Sequence, residues 1–526
     1  MFNLAGAPVA AAGAERASLV TVGAGDRRYA DLTLRRRNER FDHRPERFHL
    51  PSSAEQVAAA VTGAVADGLH ITVRSGGHSL ENSVGERPGG TILDMSAMNA
   101  VYWDPEMRAF AVESGAQLGD IFRTLYLGWG VTIPGGWCHS VCAGGHIQGG
   151  GYGALSRSLG SVVDHLHAVE VVVVGRDGVA RAVRATRDPG DPNHDLWWAH
   201  TGGGGGNFGV VTRYWLRSPG GDGSDPAASL PKPPTALIGG ALMWSWKDLT
   251  REDFQRLMSN HGRWHEDNSA PGQRTNALHS TLMITGRQAV DGPADLLLFA
   301  QVDGGRPDAP AMLENYFDAV DAGVGGVRQV GAKTPWMHAV IPHSPDTDSQ
   351  RGAEYARYKG KAGYLRRSFS DRQVDTIYDY LIERRPSIEL ARLWLVSYGG
   401  MVNAVGPSAT ALAQRDSIIK AVYTATWQDA DADAENLDWL RRLYRDVYAD
   451  TGGVPVPGAA NDGSYINYPD VDLTDPAWNA SGVPWHDLYY KENYPRLQRI
   501  KADWDPLHVF QHTLSIRPAS DRSEQR

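Results

Sequence analysis

The sequence predicts an α+β fold with two main domains, the second of which contains an antiparallel sheet that carries helices. Three observations support this. The chain has 526 residues, more than one hydrophobic core usually serves, and 42% of them are hydrophobic. Short strand patterns alternate with glycine-rich loops up to residue 217. After a segment at 219–234 that is rich in Gly, Pro, Ser and Asp, longer apolar runs alternate with amphipathic helical patterns.

Composition and charge argue against several classes of protein. The net charge is −9 and no basic patch dominates, so nucleic acid is not an expected partner. The chain has no run of about 18 apolar residues, so we expect no membrane span. Two cysteines cannot build a disulfide scaffold. The first residues are rich in Ala and Gly and do not resemble a secretion signal, which favours a cytoplasmic protein.

The first elements of the chain predict a helix followed by a strand and a glycine loop. Ser52–Glu55 has the pattern of a capping box, and valines then recur at helical spacing up to Gly68. The segment 70–74 has the pattern of a strand. A second helix is expected at 118–127, closed by Gly128.

The next elements predict a hairpin and a tight glycine loop. Residues 169–174 and 179–185 flank Asp177-Gly178, a hairpin turn. Five glycines at 202–206 precede a Val-Val-Thr strand, which favours a functional loop over a flexible linker. The match to G-x-G-x-x-G at 204–209 is weak, because no strand–helix–strand unit surrounds it, so a nicotinamide-binding domain is disfavoured.

The second half of the chain predicts the antiparallel sheet and its helices. Strand-length apolar runs lie at 236–246, 278–286, 294–302 and 393–400, and amphipathic helical patterns lie at 308–321, 371–384, 407–419 and 433–450. The predicted units are a loose leader at 1–27, a first domain at 28–217, a second domain at 218–464, a segment at 465–518 that returns to the first domain, and a disordered tail at 519–526.

Two glycine-rich loops each contain a reactive side chain. The first, 74–79, contains His78, and the second, 135–153, contains Cys138. Glycine allows close approach of the backbone to a ligand, and successive N–H groups in such turns form nests for phosphate. A nucleophilic imidazole and a thiol at neighbouring nests suggest covalent attachment of a flavin. The alternatives are a histidine that caps backbone, an inert buried thiol, or a zinc site that also uses His139, Cys142 and His146.

A cluster of polar aromatic residues lies at 465–470, with the sequence Tyr-Ile-Asn-Tyr-Pro-Asp. Such a cluster is often half-buried packing with satisfied hydroxyls. A tyrosine acting as a base needs a depressed pKa or a hydrogen-bonded relay. Lys361 and Arg366 could supply positive charge if the fold brings them close.

With these motifs the chain resembles the berberine-bridge-enzyme-like flavoproteins of the vanillyl-alcohol-oxidase superfamily, over residues 48–516. Within that family it resembles the actinomycete members that tailor antibiotics, such as glycopeptide hexose oxidases and aclacinomycin and tirandamycin oxidases. The stretches that carry this likeness are 361–365, 398–400 and 481–487. Two residues depart from the family pattern, His139 and the second thiol, Cys142.

The resemblance implies a two-domain, PCMH-type FAD-binding fold and FAD attached twice. His78 would bond the flavin 8α carbon and Cys138 would bond flavin C6, with Cys142 leaving some ambiguity about the thiol. The other cofactor-binding residues that it implies are Arg74, Ser75, Gly76, Gly77, Ser79, Val141, Gly144, Gly145, His146, Gly150, Gly153, Gly206, Asn207, Val210, Tyr465 and Asn467. Arg74 could instead be structural.

The resemblance also implies oxidation of an alcohol, a sugar hydroxymethyl or a ring carbinol, on a small secondary metabolite. Tyr465 would take the hydroxyl proton with help from Tyr468, and hydride would pass to the flavin. Oxygen is the expected acceptor, giving hydrogen peroxide, because Val141 occupies a position where valine accompanies oxygen reactivity. Candidate substrate contacts are Tyr152, Tyr364, Trp394 and Tyr398, although Tyr152 and Trp394 could be ordinary packing.

Three other functions share some of these features. An oxidase of amines that closes carbon–carbon bonds, or an oligosaccharide oxidase, would use the same scaffold. A flavin carrier without activity would keep the two anchors and could lose the tyrosine pair, which this chain retains. The substrate and the oligomeric state are not encoded in any motif that we identify.

Overall fold

The computed structural model describes residues 18–287, 294–341, 356–383 and 388–519, and the strands of these residues form three sheets. The first sheet has the order β1-β2-β4-β3; β2, β3 and β4 are parallel, and β1 is antiparallel to β2. Its elements are β1 Val20–Gly23, α1 Tyr29–Leu34, β2 Arg47–Leu50, α2 Ala54–Ala66, β3 Ile71–Arg74 and β4 Thr91–Asp94.

The second sheet is antiparallel and has the order β5-β6-β9-β7-β8. Helix α2 packs between the first two sheets, because its valines share a core with residues of β3, β4, β7 and β9. The elements are β5 Val101–Asp104, β6 Ala109–Glu113, α3 Leu118–Trp129, α4 Ala143–Gln148, α5 Ser156–Leu159, β7 Leu166–Val174, β8 Ala180–Thr186, α6 His194–Ala199 and β9 Val210–Leu216.

The third sheet is antiparallel and large, with the order β13-β10-β12-β11-β16-β17-β15, and β14 also pairs with β10. Its strands are β10 Ala236–Trp244, β11 Leu278–Thr285, β12 Leu296–Asp303, β13 Val327–Val330, β14 Thr334–Pro335, β15 Arg357–Leu365, β16 Leu390–Ser397 and β17 Ile419–Trp427. The remaining helices are α7 Arg251–Asn268, α8 Ala309–Asp321, α9 Trp336–Val340, α10 Asp371–Ile382, α11 Asp433–Val447, α12 Trp485–Tyr490 and α13 Tyr494–Trp504.

The two faces of the third sheet differ in what covers them. Alternate residues such as Leu282 and Leu298 are fully buried on the face that packs against α8 and α11. The residues between them, including Met283 and Phe299, point to the other face, where Phe299 is 40% exposed. Since side chains alternate across a strand, this second face is the open side of the sheet.

The C-terminal segment contacts the five-glycine loop through hydrogen bonds. Lys501 on α13 donates to the carbonyl oxygen of Asn207 (2.5 Å), and Ile516 N–H donates to the Asn207 side chain (2.9 Å). The exact domain limits remain a prediction.

One predicted helix is wrong. The segment 407–419 forms turns and a buried irregular stretch, and its last residue begins β17. Its backbone groups bond to the glycine loop instead of to their own helix, because Ala411 and Leu412 donate to Thr201 (2.8 and 3.1 Å). Arg415 is fixed by an ion pair with Asp164. Apolar spacing alone could not reveal these tertiary partners.

Smaller corrections concern the ends of elements. Residues 20–23, predicted to lie in a loose leader, form β1 beside β2, whereas 1–17 and the tail at 520–526 lie outside the described residues. The cap of α2 is Ser53, which accepts from Gln56 N–H, one residue later than predicted. Helix α3 runs past Gly128 and ends at Gly130, which has the left-handed φ of +70°. The hairpin at 169–185 is confirmed as β7 and β8.

Candidate active site

The two glycine loops predicted to act together are in contact. A Cβ atom on Gly76 would lie 3.0 Å from the backbone nitrogen of Cys142 and 3.1 Å from the carbonyl oxygen of Ser140. A Cβ on Gly144 would lie 2.2 Å from the hydroxyl oxygen of Ser75. Glycine is therefore required where the loop after β3 meets the start of α4, because any larger residue would force the loops apart.

His78 lies at this junction. Its Nε2 atom is 3.0 Å from the hydroxyl oxygen of Ser140 in the second loop. Desolvation, together with the nearby cations Arg37 and Arg35, lowers the pKa of His78 to about 4. The imidazole is therefore neutral near pH 7, which leaves a ring nitrogen with a lone pair for nucleophilic attack.

The structure separates the roles of the two thiols. Cys142 is buried before α4, where burial raises its pKa to about 11, so it stays protonated. Cys138 is half-buried in the preceding turn and lies close enough to Tyr468 for a thiolate there to raise the pKa of that tyrosine. This arrangement favours Cys138 as the reactive thiol, since a thiolate is the nucleophilic form.

The rest of the second loop is shaped by close backbone packing. A Cβ on Gly153 would lie 1.7 Å from the carbonyl oxygen of Gly135, so a side chain there is impossible. His146 Nε2 accepts from Gly136 N–H (3.2 Å), and desolvation lowers the pKa of His146 to about 4. His146 thus acts as a neutral acceptor that holds the loop. Gly150 has φ +115° and packs on Leu412.

The zinc alternative has no geometric support. Across the described ranges 18–287, 294–341, 356–383 and 388–519, no group of three or more His, Cys, Asp or Glu side chains is arranged to hold a metal ion. His146 already uses Nε2 as an acceptor from Gly136.

The five-glycine run is a tight loop, as predicted. The side-chain amide of Asn207 donates to the carbonyl oxygens of Gly203 (3.1 Å) and Gly204 (3.2 Å), and Gly206 has φ +73°. Lys501, which the sequence analysis missed, bonds Asn207 and forms a buried ion pair with Asp505. The side chain of Val210 is buried in the core between the sheets, so only its backbone faces this loop.

The side chain of Arg74 is bound by other groups of the protein. Its guanidinium is buried, forms an ion pair with Asp94 (2.8 Å) and donates to the carbonyl oxygen of Leu32 (2.7 Å). Arg35 pairs with the same carboxylate and donates to the carbonyl oxygen of Ser75 (2.6 Å). These contacts fix the start of the first loop, which favours the structural interpretation of Arg74 over contact with phosphate.

The tyrosines predicted from separate parts of the sequence form one cluster. Tyr152, Tyr364, Tyr398 and Tyr465 are buried together, and Tyr468 packs against them. The hydroxyl groups of Tyr152 and Tyr468 are 2.7 Å apart. All the candidate substrate contacts therefore lie beside the motif at 465–470 and the end of the second glycine loop.

Tyr465 is held by two donors. Its hydroxyl oxygen accepts from Gly151 N–H (3.2 Å) and from the side-chain amide of Asn467 (3.1 Å). Asn467 also donates to the carbonyl oxygen of His146 (3.0 Å), and it packs where a Cβ on Gly149 would lie. Burial raises the pKa of Tyr465, whereas the two donors oppose this because they stabilise the phenolate.

The cation at the cluster is Lys420, which the sequence analysis missed. Its Nζ atom lies 3.2 Å from the ring centroid of Tyr152 and 3.6 Å from that of Tyr465. It is buried and has no hydrogen-bond partner among the described residues, and desolvation lowers its pKa well below the usual value. The available signal was a single lysine inside an apolar strand, β17.

The two predicted cations lie elsewhere. Lys361 forms ion pairs with Asp470 (2.5 Å) and Asp472 (2.9 Å). Arg366 pairs with Asp462 (2.7 Å). Lys361 thus anchors the end of the 465–470 motif, and neither residue is the charge beside Tyr465.

Trp394 is half-buried on the open face of the third sheet, so it is not part of the helix-covered core. On the same side, His279 lies 5.4 Å from Trp137, the neighbour of Cys138, measured between ring centroids. His279 and Gln301 line a cavity of about 410 Å³ between the third sheet and the segment at 154–159. Trp137 also contacts Tyr152, so it lies between the tyrosine cluster and a residue that lines this cavity.

Comparisons with known proteins agree with this fold. The family model described as an FAD-binding domain matches residues 45–182, and the one described as berberine and berberine-like matches 464–517. The aclacinomycin-N/aclacinomycin-A oxidase of Streptomyces galilaeus is 50% identical over 504 residues, which cover 96% of this chain and 90% of that protein.

Two further proteins extend the comparison. The hexose oxidase of Chondrus crispus is 32% identical over 479 residues and 85% of each chain. The crystal structure of a glycopeptide hexose oxidase complexed with teicoplanin superposes with a TM-score of 0.91, at 48% identity, over 95% of this chain and 99% of that one.

Fold and site together define an FAD-linked oxidoreductase with the predicted two-domain architecture. The chain belongs to the berberine-bridge-enzyme-like family. The residues fit the cofactor, because the nest at 75–79, the glycine contacts between the loops, a neutral His78 and a half-buried Cys138 form a cradle that tolerates no larger side chains. No helix of the described residues is long and apolar enough to cross a membrane.

Proposed function

We propose that this protein oxidises an alcohol carbon of a secondary metabolite, a sugar hydroxymethyl or a ring carbinol, with FAD as the redox group and oxygen as the acceptor. The observation that supports this best is Tyr465, whose hydroxyl oxygen receives two N–H donors and whose ring lies 3.6 Å from the amine of Lys420. The site therefore has a base for a hydroxyl proton beside the two flavin anchors.

FAD is attached through His78 and Cys138. The first bond needs a neutral imidazole and the second a thiolate, and the lowered pKa of His78 and the partial exposure of Cys138 meet these needs. Cys142 does not take part, because burial keeps its thiol protonated. The backbone at 75–79 and 144–153, where glycines permit close approach, would hold the cofactor.

Tyr465 takes the proton of the substrate hydroxyl. The N–H groups of Gly151 and Asn467 stabilise the phenolate, and Lys420 can take the phenol proton before reaction and return it afterwards. A bound flavin would supply the two-electron oxidant for the carbon from which this proton leaves, and oxygen would be the final acceptor of those two electrons and two protons, giving hydrogen peroxide. Tyr152 and Tyr468, joined by their hydroxyls, orient the substrate.

Alcohol oxidation is favoured over the alternative of amine oxidation or carbon–carbon bond closure. The latter chemistry on this scaffold uses a carboxylate as base. No carboxylate of a described residue is among the main groups that shift the pKa of Tyr465, and the acids that follow it, Asp470 and Asp472, are paired with Lys359 and Lys361. Since named relatives are oxidases of an aclacinomycin and of a hexose, a glycosylated metabolite is the proposed substrate, with an oligosaccharide as the second candidate.

Acid precipitation tests the cofactor attachment. The wild-type pellet should stay yellow, and peptide mass spectrometry should find flavin on both anchors. His78→Ala and Cys138→Ala should each keep one bond, and the double variant should release its flavin. Cys142→Ala is the matched control and should keep both bonds. Yellow colour in the wild-type supernatant would contradict both assignments.

Anaerobic reduction tests the chemistry. Tyr465→Phe should lose flavin reduction by on the order of 10²–10⁴-fold, since it removes the general base. Tyr444→Phe, at a buried tyrosine that bonds the carbonyl oxygen of Ala362, is the control. Admission of air should then reoxidise the wild-type flavin rapidly, because the family resemblance associates a valine at the position of Val141 with oxygen reactivity; slow reoxidation would identify a dehydrogenase.

A further inference from the structure

The open face of the third sheet is buried at the reaction centre, where Tyr364, Lys420 and Val396 lie, and becomes partly exposed farther along the strands. Strand pairing places Lys420 directly between Tyr364 and Val396, so these residues form one row across the sheet. The row continues through Thr281 to Phe299. Because directly opposite residues of an antiparallel pair share a face, all five side chains lie on the open side.

The next two rows lead away from the reaction centre along the same strands. Trp394 lies between Val422 and Met283, and Arg392 lies between Thr424 and Thr285. Each row is two residues from the last, about 7 Å along the strand. The guanidinium carbon of Arg392 lies 5.5 Å from the ring centroid of Trp394, so its charge leans back toward the row of Lys420.

Arg392 differs from the other arginines that are withdrawn from solvent. Arg74 is paired with Asp94, Arg415 is paired with Asp164, and Arg157 donates to several carbonyl and hydroxyl oxygens. Among the described residues, the guanidinium of Arg392 has only one long hydrogen bond, to the hydroxyl of Thr285 (3.4 Å).

Among the described residues, this environment leaves the positive charge of Arg392 without a carboxylate partner on a partly exposed face of the sheet. Burial lowers the pKa of Arg392, and no carboxylate of a described residue opposes this. Guanidinium groups bind carboxylates through paired, charge-assisted hydrogen bonds, and they stack on flat conjugated systems. The surface beside it is apolar and partly exposed, with Trp394 half-buried and Phe299 40% exposed.

We propose that Arg392 and Trp394 determine substrate specificity by binding an oxyanion on a flat conjugated ring of the substrate, a carboxylate or ionised phenol. Trp394 lies about 7 Å and Arg392 about 14 Å along the strand from the row that carries Lys420. This rests on the proposed function in that the carbon to be oxidised lies at Tyr465 and Lys420. It adds the substrate class, which is an aglycone with an acidic conjugated ring and a reacting alcohol joined to that ring by a short linker.

Binding of small probes to the flavin-loaded enzyme tests this without turnover. Naphthoate supplies the oxyanion on a flat ring, and naphthamide is its neutral counterpart. The wild type should bind naphthoate at least 10-fold more tightly than naphthamide, measured by calorimetry. Arg392→Gln should reduce this preference to less than 2-fold. Arg392→Lys should keep part of it, since a lysine retains the positive charge but cannot form the paired hydrogen bonds of a guanidinium.

The control variant is Arg328→Gln. Arg328 is on β13 of the same sheet, but it is paired with Glu314 and Asp318, so its removal should leave the preference unchanged. The inference is overturned if the wild type shows no preference for naphthoate, or if Arg392→Gln retains it with normal flavin content and melting temperature. These outcomes are independent of alcohol oxidation and covalent flavin, whose failure would instead overturn the proposed function.

Discussion

Replacement of Lys420 by Met should slow substrate oxidation while the fold is preserved. The amine lies 3.6 Å from the ring centroid of Tyr465. Once Lys420 has taken the phenol proton, its ammonium attracts the phenolate; with about 5 Å between Nζ and the phenolate oxygen and an effective dielectric constant of about 20, this attraction is about 3 kcal/mol. That corresponds to about 2 units in the pKa of Tyr465 and a loss of roughly 100-fold in flavin reduction near neutral pH.

The assay is anaerobic stopped-flow reduction of the enzyme-bound flavin across a pH series. In Lys420→Met the midpoint at which reduction becomes fast should move to higher pH by about 2 units, because a phenol without a neighbouring amine ionises later. Lys420→Arg should restore part of the rate, since the charge returns without the ability to exchange a proton. Tyr465→Phe in either background should remove the pH dependence.

Stability provides the control for this prediction. The amine of Lys420 is buried and has no hydrogen-bond partner among the described residues, so its replacement by a methionine of similar length removes a desolvated polar group. Such a removal stabilises a protein by about 1–3 kcal/mol. The variant should therefore melt at or above the wild-type temperature. The reasoning would be refuted if the variant reduced its flavin at a rate within twofold of the wild-type rate and with a pH midpoint within half a unit of the wild-type midpoint.

Three further predictions follow from the packing. Gly153→Ala should give no soluble folded protein, because its Cβ would meet the carbonyl oxygen of Gly135, whereas Gly145→Ala, which meets no atom within 4 Å, should fold; expression and melting curves decide this. Asp94→Asn should lower the free energy of unfolding by about 3–5 kcal/mol in denaturant titrations, since it leaves the buried Arg74 uncompensated. Acid should destabilise the protein through His261, whose folded pKa of about 3 lies below the unfolded value of 6.5. The unfolded state then binds more protons, so stability falls as pH falls from about 6.5, by about 2 kcal/mol at pH 5, and His261→Leu should remove that share.

The glycine loops and the hairpin could be predicted from the sequence because each is specified by residues that are close together in the chain. The loops with His78 and Cys138 were identified by glycine spacing, and the structure brings the two loops into contact. The hairpin at 169–185 was identified by its turn dipeptide. In contrast, the segment 407–419 has the apolar spacing of a helix but does not form one. Its backbone binds Thr201, and its Arg415 pairs with Asp164. Spacing within a short stretch of sequence gives no information about such distant partners.

The sequence by itself determined the family, the two-domain fold and the residue types that can hold a flavin, because glycines that permit close backbone approach and nucleophiles beside them are recognisable at fixed spacing. Only the tertiary structure decided which lysine lies beside Tyr465. Lys361 lies in a strand like Lys420, yet strand register aims Lys361 at Asp470 and Lys420 at Tyr465. The choice between Cys138 and Cys142 was also tertiary, since burial sets a thiol's pKa and depends on what the rest of the chain packs around it.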